Sequence, residues 1–226
     1  MKTKGTINRR IISGKEYFYH QYLEDGKQVS KTISKDEAYE IASKIYYDGK
    51  SYDDLINHQF NMEVHFGFSL FKLSEPSSIY KKRYCYEHIS NFMSDQRVFG
   101  KALVLYGLRR TGKTTLMFQY INSLSFKEFI KAAYIKCDSK KNIHQLFDDL
   151  KYLTNNGFKY IFIDEVTLLA DFIALSATLS DIYGLKAKVV LSGADSLGFY
   201  IAGLDELYDR QVMIHTTYIS YKEFFV

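Results

Sequence analysis

The sequence predicts an α/β fold: a five-stranded parallel sheet with helices on both faces, preceded by a small module of a three-stranded β-meander plus one helix. Three observations carry this. From about residue 79 onward, short apolar runs alternate with segments of helical period, the pattern of a parallel sheet wrapped on both sides. The apolar run 102–106 leads straight into a glycine-bracketed loop, Gly107-Leu108-Arg109-Arg110-Thr111-Gly112-Lys113-Thr114-Thr115. The first fifty residues differ in texture, with three strand-like runs parted by turn sequences.

In that N-terminal unit, residues 7–13, 16–23 and 28–33 read as strands separated by Ser13-Gly14-Lys15 and Glu24-Asp25-Gly26-Lys27. Ser34 and Glu37 form a capping box, Ala38, Ile41, Ala42 and Ile45 follow at helical spacing, and Gly49 offers a stop. A second capping pair, Ser51 with Asp54, opens a short helix expected to run through Phe60. Alternation in Val64, Phe66, Phe68 and Leu70 predicts a strand, and Glu75-Pro76-Ser77-Ser78 marks a boundary. The expected division is a module at 1–50, a linker region at 51–78 and the main domain at 79–226. Within the main domain, helices are expected at 84–93, 113–124, 142–153 and 171–183. Strands are expected at 102–106, 132–136, 160–163, 188–192 and 211–216.

The 107–115 loop fits the Walker A phosphate loop, G-x-x-x-x-G-K-[ST], without a mismatch. A triphosphate needs several backbone N–H donors converging on its oxygens, and a glycine-containing loop lets the chain approach that closely. Lys113 would carry a point charge to the β- and γ-phosphates, Thr114 would offer its hydroxyl to Mg²⁺, and the following helix would aim its positive N-terminus at the anion. Thr115 extends the polar start of that helix. The alternative is a glycine turn with no ligand.

About fifty residues on, the apolar run 160–163 ends in Asp164-Glu165, which reads as Walker B. Two carboxylates at the end of a buried parallel strand are costly unless something compensates their charge, and Mg²⁺ beside the phosphates does so. Asp164 would orient the metal's water shell and Glu165 would polarise the attacking water. Taken alone, an Asp-Glu pair also reads as a helix cap. Together the motifs predict a P-loop NTPase sheet.

Composition sets limits. A chain of 226 residues holds one such domain plus a small module, and a formal net charge of +4 does not by itself establish a nucleic-acid partner. Cys85 and Cys137 lie far apart, and six scattered histidines show no metal-ligand spacing. No apolar run suits a signal peptide or a membrane span, so a cytoplasmic protein with no membrane partner is expected.

Residues 80–226 resemble the archaeal and bacterial ATPases of the AAA+ superfamily. Their pattern is a glycine-arginine-rich Walker A, an Ile-Asp-Glu Walker B, a strand ending in Thr-Gly-Ser-Ser, a Gly-Arg pair and a Pro-Leu-Ser-Phe-Arg-Glu-Phe segment. Here the later positions read Ile163-Asp164-Glu165, Leu191-Ser192-Gly193-Ala194-Asp195-Ser196, Asp209-Arg210 and Tyr218-Ile219-Ser220-Tyr221-Lys222-Glu223-Phe224. The resemblance implies Mg²⁺-dependent hydrolysis of ATP, a homo-oligomer, and a chain that ends before the family's lid, leaving the adenine less enclosed. It gives Ser192 the place of the polar sensor of the γ-phosphate, against a bland reading as a strand-ending turn. It makes Arg210 a γ-phosphate-sensing or trans-acting arginine, against a surface arginine paired locally. Adenine is favoured over guanine because no Asn-Lys-x-Asp motif is present.

In the N-terminal module, Lys2, Lys4, Arg9, Arg10, Lys15, Lys27 and Lys31 crowd a sheet that also presents Tyr17, Tyr19 and Tyr22. Such an arrangement suits phosphate contacts with aromatic interleaving. Residues 5–48 are also similar to the arm-binding modules of phage-type integrases, which implies DNA binding through residues 1–50. A protein-interaction module and a structural appendage are the alternatives, since Glu16, Glu24 and Asp25 dilute the charge. Three functions therefore stand: an ATP-hydrolysing enzyme coupled to DNA, a nucleotide-dependent switch with little turnover, and a DNA-binding regulator.

Overall fold

The computed structural model describes residues 5–47, 50–95, 100–170, 172, 178–179, 186–194 and 211–225. The chain opens with an antiparallel meander of β1 (Thr6–Ile12), β2 (Lys15–Glu24) and β3 (Lys27–Ile33). Helix α1 (Lys35–Tyr46) follows. The expected capping box starts it: the Ser34 hydroxyl accepts from the Glu37 N–H at 3.2 Å, and the Glu37 carboxylate accepts from the Ser34 N–H at 2.9 Å. Phe18 on the meander's inner face packs against Tyr39 of α1, and Tyr39 stacks on Phe71 at 4.5 Å. Burial there pushes the Tyr39 hydroxyl up to about 12.

Helix α2 (Lys50–Asn57) begins before Ser51 and stops short of Phe60, so Ser51 lies in the first turn rather than at the cap. The alternation across Val64 to Leu70 resolves into two elements, β4 (Glu63–Phe66) and α3 (Gly67–Ser74). The switch falls at Gly67. Its φ of +53° reverses the chain, and a Cβ there would lie 2.8 Å from the Ser43 hydroxyl. A 3₁₀ turn at Glu75–Ile79 and α4 (Tyr86–Ser94) complete the approach to the sheet. The Lys188 ammonium donates to the Phe92, Met93 and Asp95 carbonyls at 3.2, 2.5 and 2.9 Å, and so closes the end of α4.

The main sheet has six strands in the order β4-β6-β7-β8-β5-β9. The five expected strands, β5 (Ala102–Tyr106), β6 (Ala132–Lys136), β7 (Tyr160–Asp164), β8 (Lys188–Gly193) and β9 (Gln211–His215), are all parallel. The sixth, β4, pairs antiparallel with β6, so the stretch read as a linker supplies an edge strand. Buried Asp149 secures it by accepting from the Asn61 and Met62 N–H groups at 3.0 and 2.8 Å. That contact spans more than eighty residues and leaves no local trace in the sequence.

Strands β5, β7 and β8 are almost wholly buried because both their faces are covered. Ala102, Val104, Ile161, Ile163, Val189 and Leu191 pack with α7 (Ile143–Asn155). Leu103, Leu105, Phe162 and Val190 pack with α4 and with α5 (Lys113–Ser123). The short helices α6 (Phe126–Phe129) and α8 (Tyr221–Phe225) add to the expected set. The helix expected at 171–183 falls for the most part outside the described residues. Among the described residues, no helix is long and apolar enough to cross a membrane.

Candidate active site

The carboxyl ends of β5, β7 and β8 open on a cleft of about 650 Å³ lined by Lys113, Thr114, Asp164, Glu165 and Ser192. β8 runs between β5 and β7. The loop that leaves β5 is shaped by its glycines. Gly107 has φ +146°, and a Cβ built on it would meet the Thr216 carbonyl oxygen at 2.2 Å. Gly112, at φ +84°, is the left-handed N-cap of α5. Between them Leu108, Arg109 and Arg110 are exposed, with Arg110 itself left-handed at φ 64°, while Thr111 is buried.

Lys113 folds back over this loop. Its ammonium donates to the Gly107 and Leu108 carbonyls at 2.8 and 2.7 Å. Burial lowers its pKa, and the Asp164 and Glu165 carboxylates oppose that shift. Asp164 is nearly inaccessible yet fully engaged. Its Oδ2 accepts from the Thr114 hydroxyl at 2.6 Å and the Tyr134 hydroxyl at 2.8 Å. Its Oδ1 accepts from the Ser192 hydroxyl and, at 3.1 Å, from the Glu165 N–H. Four donors thus fix a carboxylate at the end of a buried strand, which is how its charge is tolerated there.

Glu165 sits in the left-handed region at φ 59° and caps the 3₁₀ turn Val166–Leu168. Its N–H also reaches the Ser192 hydroxyl at 3.3 Å, while its own side chain is exposed at the cleft. The loop, the Asp-Glu pair and Ser192, far apart in sequence, therefore meet in one place.

The model of the AAA domain family matches residues 100–225, more than half of the 226-residue chain. The chain belongs to the AAA domain family. It is a nucleotide-binding domain of the AAA+ ATPase type, as the resemblance in the sequence implied. A second model, of a domain of unknown function (DUF6788), matches residues 1–43. No curated protein matches the chain. Among solved structures it is similar to S. cerevisiae Hsp104 in an extended-conformation casein complex, with 15% identity and a TM-score of 0.46 over 68% of this chain and 30% of that one. It is likewise similar to C. elegans PCH-2, with 16% identity and a TM-score of 0.39 over 68% of this chain and 43% of that one. The chain thus spans less than half the length of either protein.

Of the site residues expected in this AAA domain, Gly107 to Thr115, Asp164, Glu165 and Ser192 are all described, and Lys113, Thr114, Thr115, Asp164, Glu165 and Ser192 line the one cleft. Arg210, with Asp195 and Asp209, lies outside the described residues. Sequence reasoning missed Tyr134, Thr216 and Arg83. Tyr134 reads as an ordinary apolar strand position until β6 is set beside β7. Thr216 joins its hydroxyl to that of Thr111 at 2.8 Å and donates it to the Tyr106 carbonyl at 3.1 Å. Arg83 donates to the Thr111 carbonyl at 2.7 Å from a loop that carries no motif.

Proposed function

We propose that this AAA domain binds ATP with Mg²⁺ in the 650 Å³ cleft and hydrolyses it to ADP and phosphate. The observation that carries the reading is the 2.6 Å bond from the Thr114 hydroxyl to the Asp164 carboxylate, which brings the phosphate loop and the Asp-Glu pair within reach of one ligand. The backbone of residues 107–112 cradles the phosphates, with Leu108, Arg109, Arg110 and Thr111 contributing main chain and Thr115 the helix start. Lys113 exchanges its two carbonyl partners for phosphate oxygens, which suits an ammonium held by a flexible stem. Thr114 and Asp164 are hard oxygen donors of the type that holds Mg²⁺ together with substrate phosphates. When bound, the ion supplies neutralisation of the charge developing on the phosphoryl oxygens. Glu165 accepts the proton of the attacking water, and Ser192 turns its one hydroxyl proton from Asp164 to the γ-phosphate. A second cavity of about 200 Å³, lined by Tyr80, Lys81, Thr115, Leu116 and Gln119, adjoins Gly112 and offers the adenine a seat.

Thermal unfolding with and without Mg²⁺-ATP tests the binding half. Ligand at about a hundred times its Kd is expected to stabilise the fold by about 2.7 kcal/mol, and Lys113→Ala is expected to abolish that gain. An equal gain in both proteins would put the nucleotide elsewhere.

A second reading, duplex DNA binding by residues 1–50, is favoured by how the meander divides its charges. Residues that pair across the strands share a face. The register sets Arg10 beside Tyr17 and Asn8 beside Tyr19 on the face opposite Phe18, with Lys15, Gln21 and Gln28. Arg10 lies over the Tyr19 ring at 5.5 Å, and Asn8 donates to Gln21 at 2.8 Å. Glu16 falls on the inner face, where it pairs with Arg9, and Glu24 alternates onto the same side. Glu16 and Glu24 are thus turned from this outer face, but so are Arg9, Lys27, Lys31 and Tyr22, which leaves Arg10 and Lys15 as the strand cations it presents with Tyr17 and Tyr19. Residues 1–33 hold seven Lys or Arg against three Asp or Glu, a net of +4 that equals the formal charge of the whole chain. Arg10→Ala with Lys15→Ala is expected to weaken binding of the full chain to a labelled 20-base-pair duplex at least about tenfold, with a shallower salt slope. Unchanged anisotropy titrations would remove this reading.

A further inference from the structure

Arg83 lies outside every motif, yet four acceptor oxygens from three residues converge on its side chain. Its Nε and Nη2 donate to the two carboxylate oxygens of Glu223, each at 3.0 Å. Its Nη1 donates to the Thr217 carbonyl at 2.8 Å and to the Thr111 carbonyl at 2.7 Å. Glu223 in turn accepts from the Tyr84 N–H at 2.9 Å. Only about a tenth of either side chain of the ion pair is exposed. This is the planar fork for which arginine is suited and lysine is not. Glu223 is consequently held below the usual carboxylate range, first by its bonds to Arg83.

The bond to Thr111 also constrains the next residue, Gly112. The peptide joining Thr111 to Gly112 is planar and trans, so its C=O and N–H point in opposite directions. Gly112 has no Cβ and occupies φ +84°, so nothing in its own side chain opposes a flip of that peptide. Arg83 holds the carbonyl, and the Gly112 N–H is thereby directed away from the guanidinium. The other end of Thr111 is held separately, through its hydroxyl contact with Thr216.

We propose that Arg83, braced by Glu223, is a positioning residue that fixes the Thr111–Gly112 peptide and so presets the donor geometry of the phosphate loop. The inference rests on the reading of the cleft as an ATP site, but it concerns a residue 140 positions from its brace and outside the expected set. The strap from Thr216 to Glu223 that follows β9 is then part of the nucleotide site, since it holds Thr111 at both ends.

The test uses the full chain, with Arg83→Gln, Glu223→Gln and the double variant. In the absence of nucleotide, amide hydrogen exchange across residues 107–115 is expected to quicken at least tenfold in Arg83→Gln while the peptides of β7 and α7 keep their protection. With Mg²⁺-ATP, Arg83→Gln is expected to raise KM about tenfold and to change kcat by less than threefold. The double variant leaves no unpaired charge, so it is expected to regain thermal stability while KM stays raised; a purely structural pair would give back both. Loop exchange that is the same as in the wild type would overturn the proposal, as would a KM restored in the double variant. If the wild type shows no response to Mg²⁺-ATP, the ATP reading fails, while loop exchange still reports on the clamp itself.

Discussion

Glu165→Gln is expected to lower ATP turnover by about a hundred- to ten-thousand-fold while leaving Mg²⁺-ATP binding within about threefold, the range over which a general base acts. The substitution keeps the shape of the side chain and removes its proton affinity. Its backbone is held independently of the carboxylate, through N–H bonds to Asp164 and Ser192 at 3.1 and 3.3 Å, so the turn at Val166–Leu168 should persist. The carboxylate is exposed at the cleft and is the one member of the Asp-Glu pair free of the four-donor cage around Asp164. Single-turnover phosphate release, read beside the thermal shift given by Mg²⁺-ATP, separates the two effects. Turnover equal to the wild type would take the base role away from Glu165, and a lost thermal shift would make it a binding residue instead.

Gly107→Ala is expected to destabilise the fold by about 3–5 kcal/mol, a large fraction of the 5–15 kcal/mol that keeps a domain of this kind folded. Two costs add. The φ of +146° is a backbone conformation that alanine rarely adopts. The new methyl would also stand 2.2 Å from the Thr216 carbonyl oxygen, and that backbone is pinned to Tyr106 by the Thr216 N–H at 2.8 Å, so it yields only by breaking the junction of β9 with the loop. The entropy that alanine removes from the unfolded chain returns less than about 1 kcal/mol. Denaturant unfolding measures the difference through the midpoint. A loss below about 1 kcal/mol would mean that the strap after β9 moves aside easily, which would also weaken the case for the Arg83 brace.

The parts legible in the sequence were those whose cause is local. β5, β7 and β8 could be read because a strand buried on both faces must be apolar along its whole length. The Ser34–Glu37 box started α1 where expected because a cap is a contact between neighbours. The reading failed at Val64 to Leu70, where strand alternation and helical period both fit a few apolar residues and only the left turn at Gly67 separates β4 from α3. It also failed at Ser51, since Lys50 already begins the helix. Ser192 shows the limit from the other side: its chemistry left two readings open, and its meeting with Asp164 depends on β8 lying beside β7.

By itself, the sequence determined the five parallel strands, the helices α1, α4, α5 and α7, the glycine-bracketed loop and the carboxylate pair, because each is written in residues a few positions apart. Tertiary structure alone decided the strand order that sets β8 between β5 and β7, the recruitment of β4 to the edge, and the face of the meander that its acids occupy. It alone joined Arg83 to Glu223 and Thr216 to Thr111. These contacts are made between side chains and carbonyls brought together by the packing of whole elements, and hydrogen bonds across more than a hundred residues impose no period or spacing on the chain that makes them.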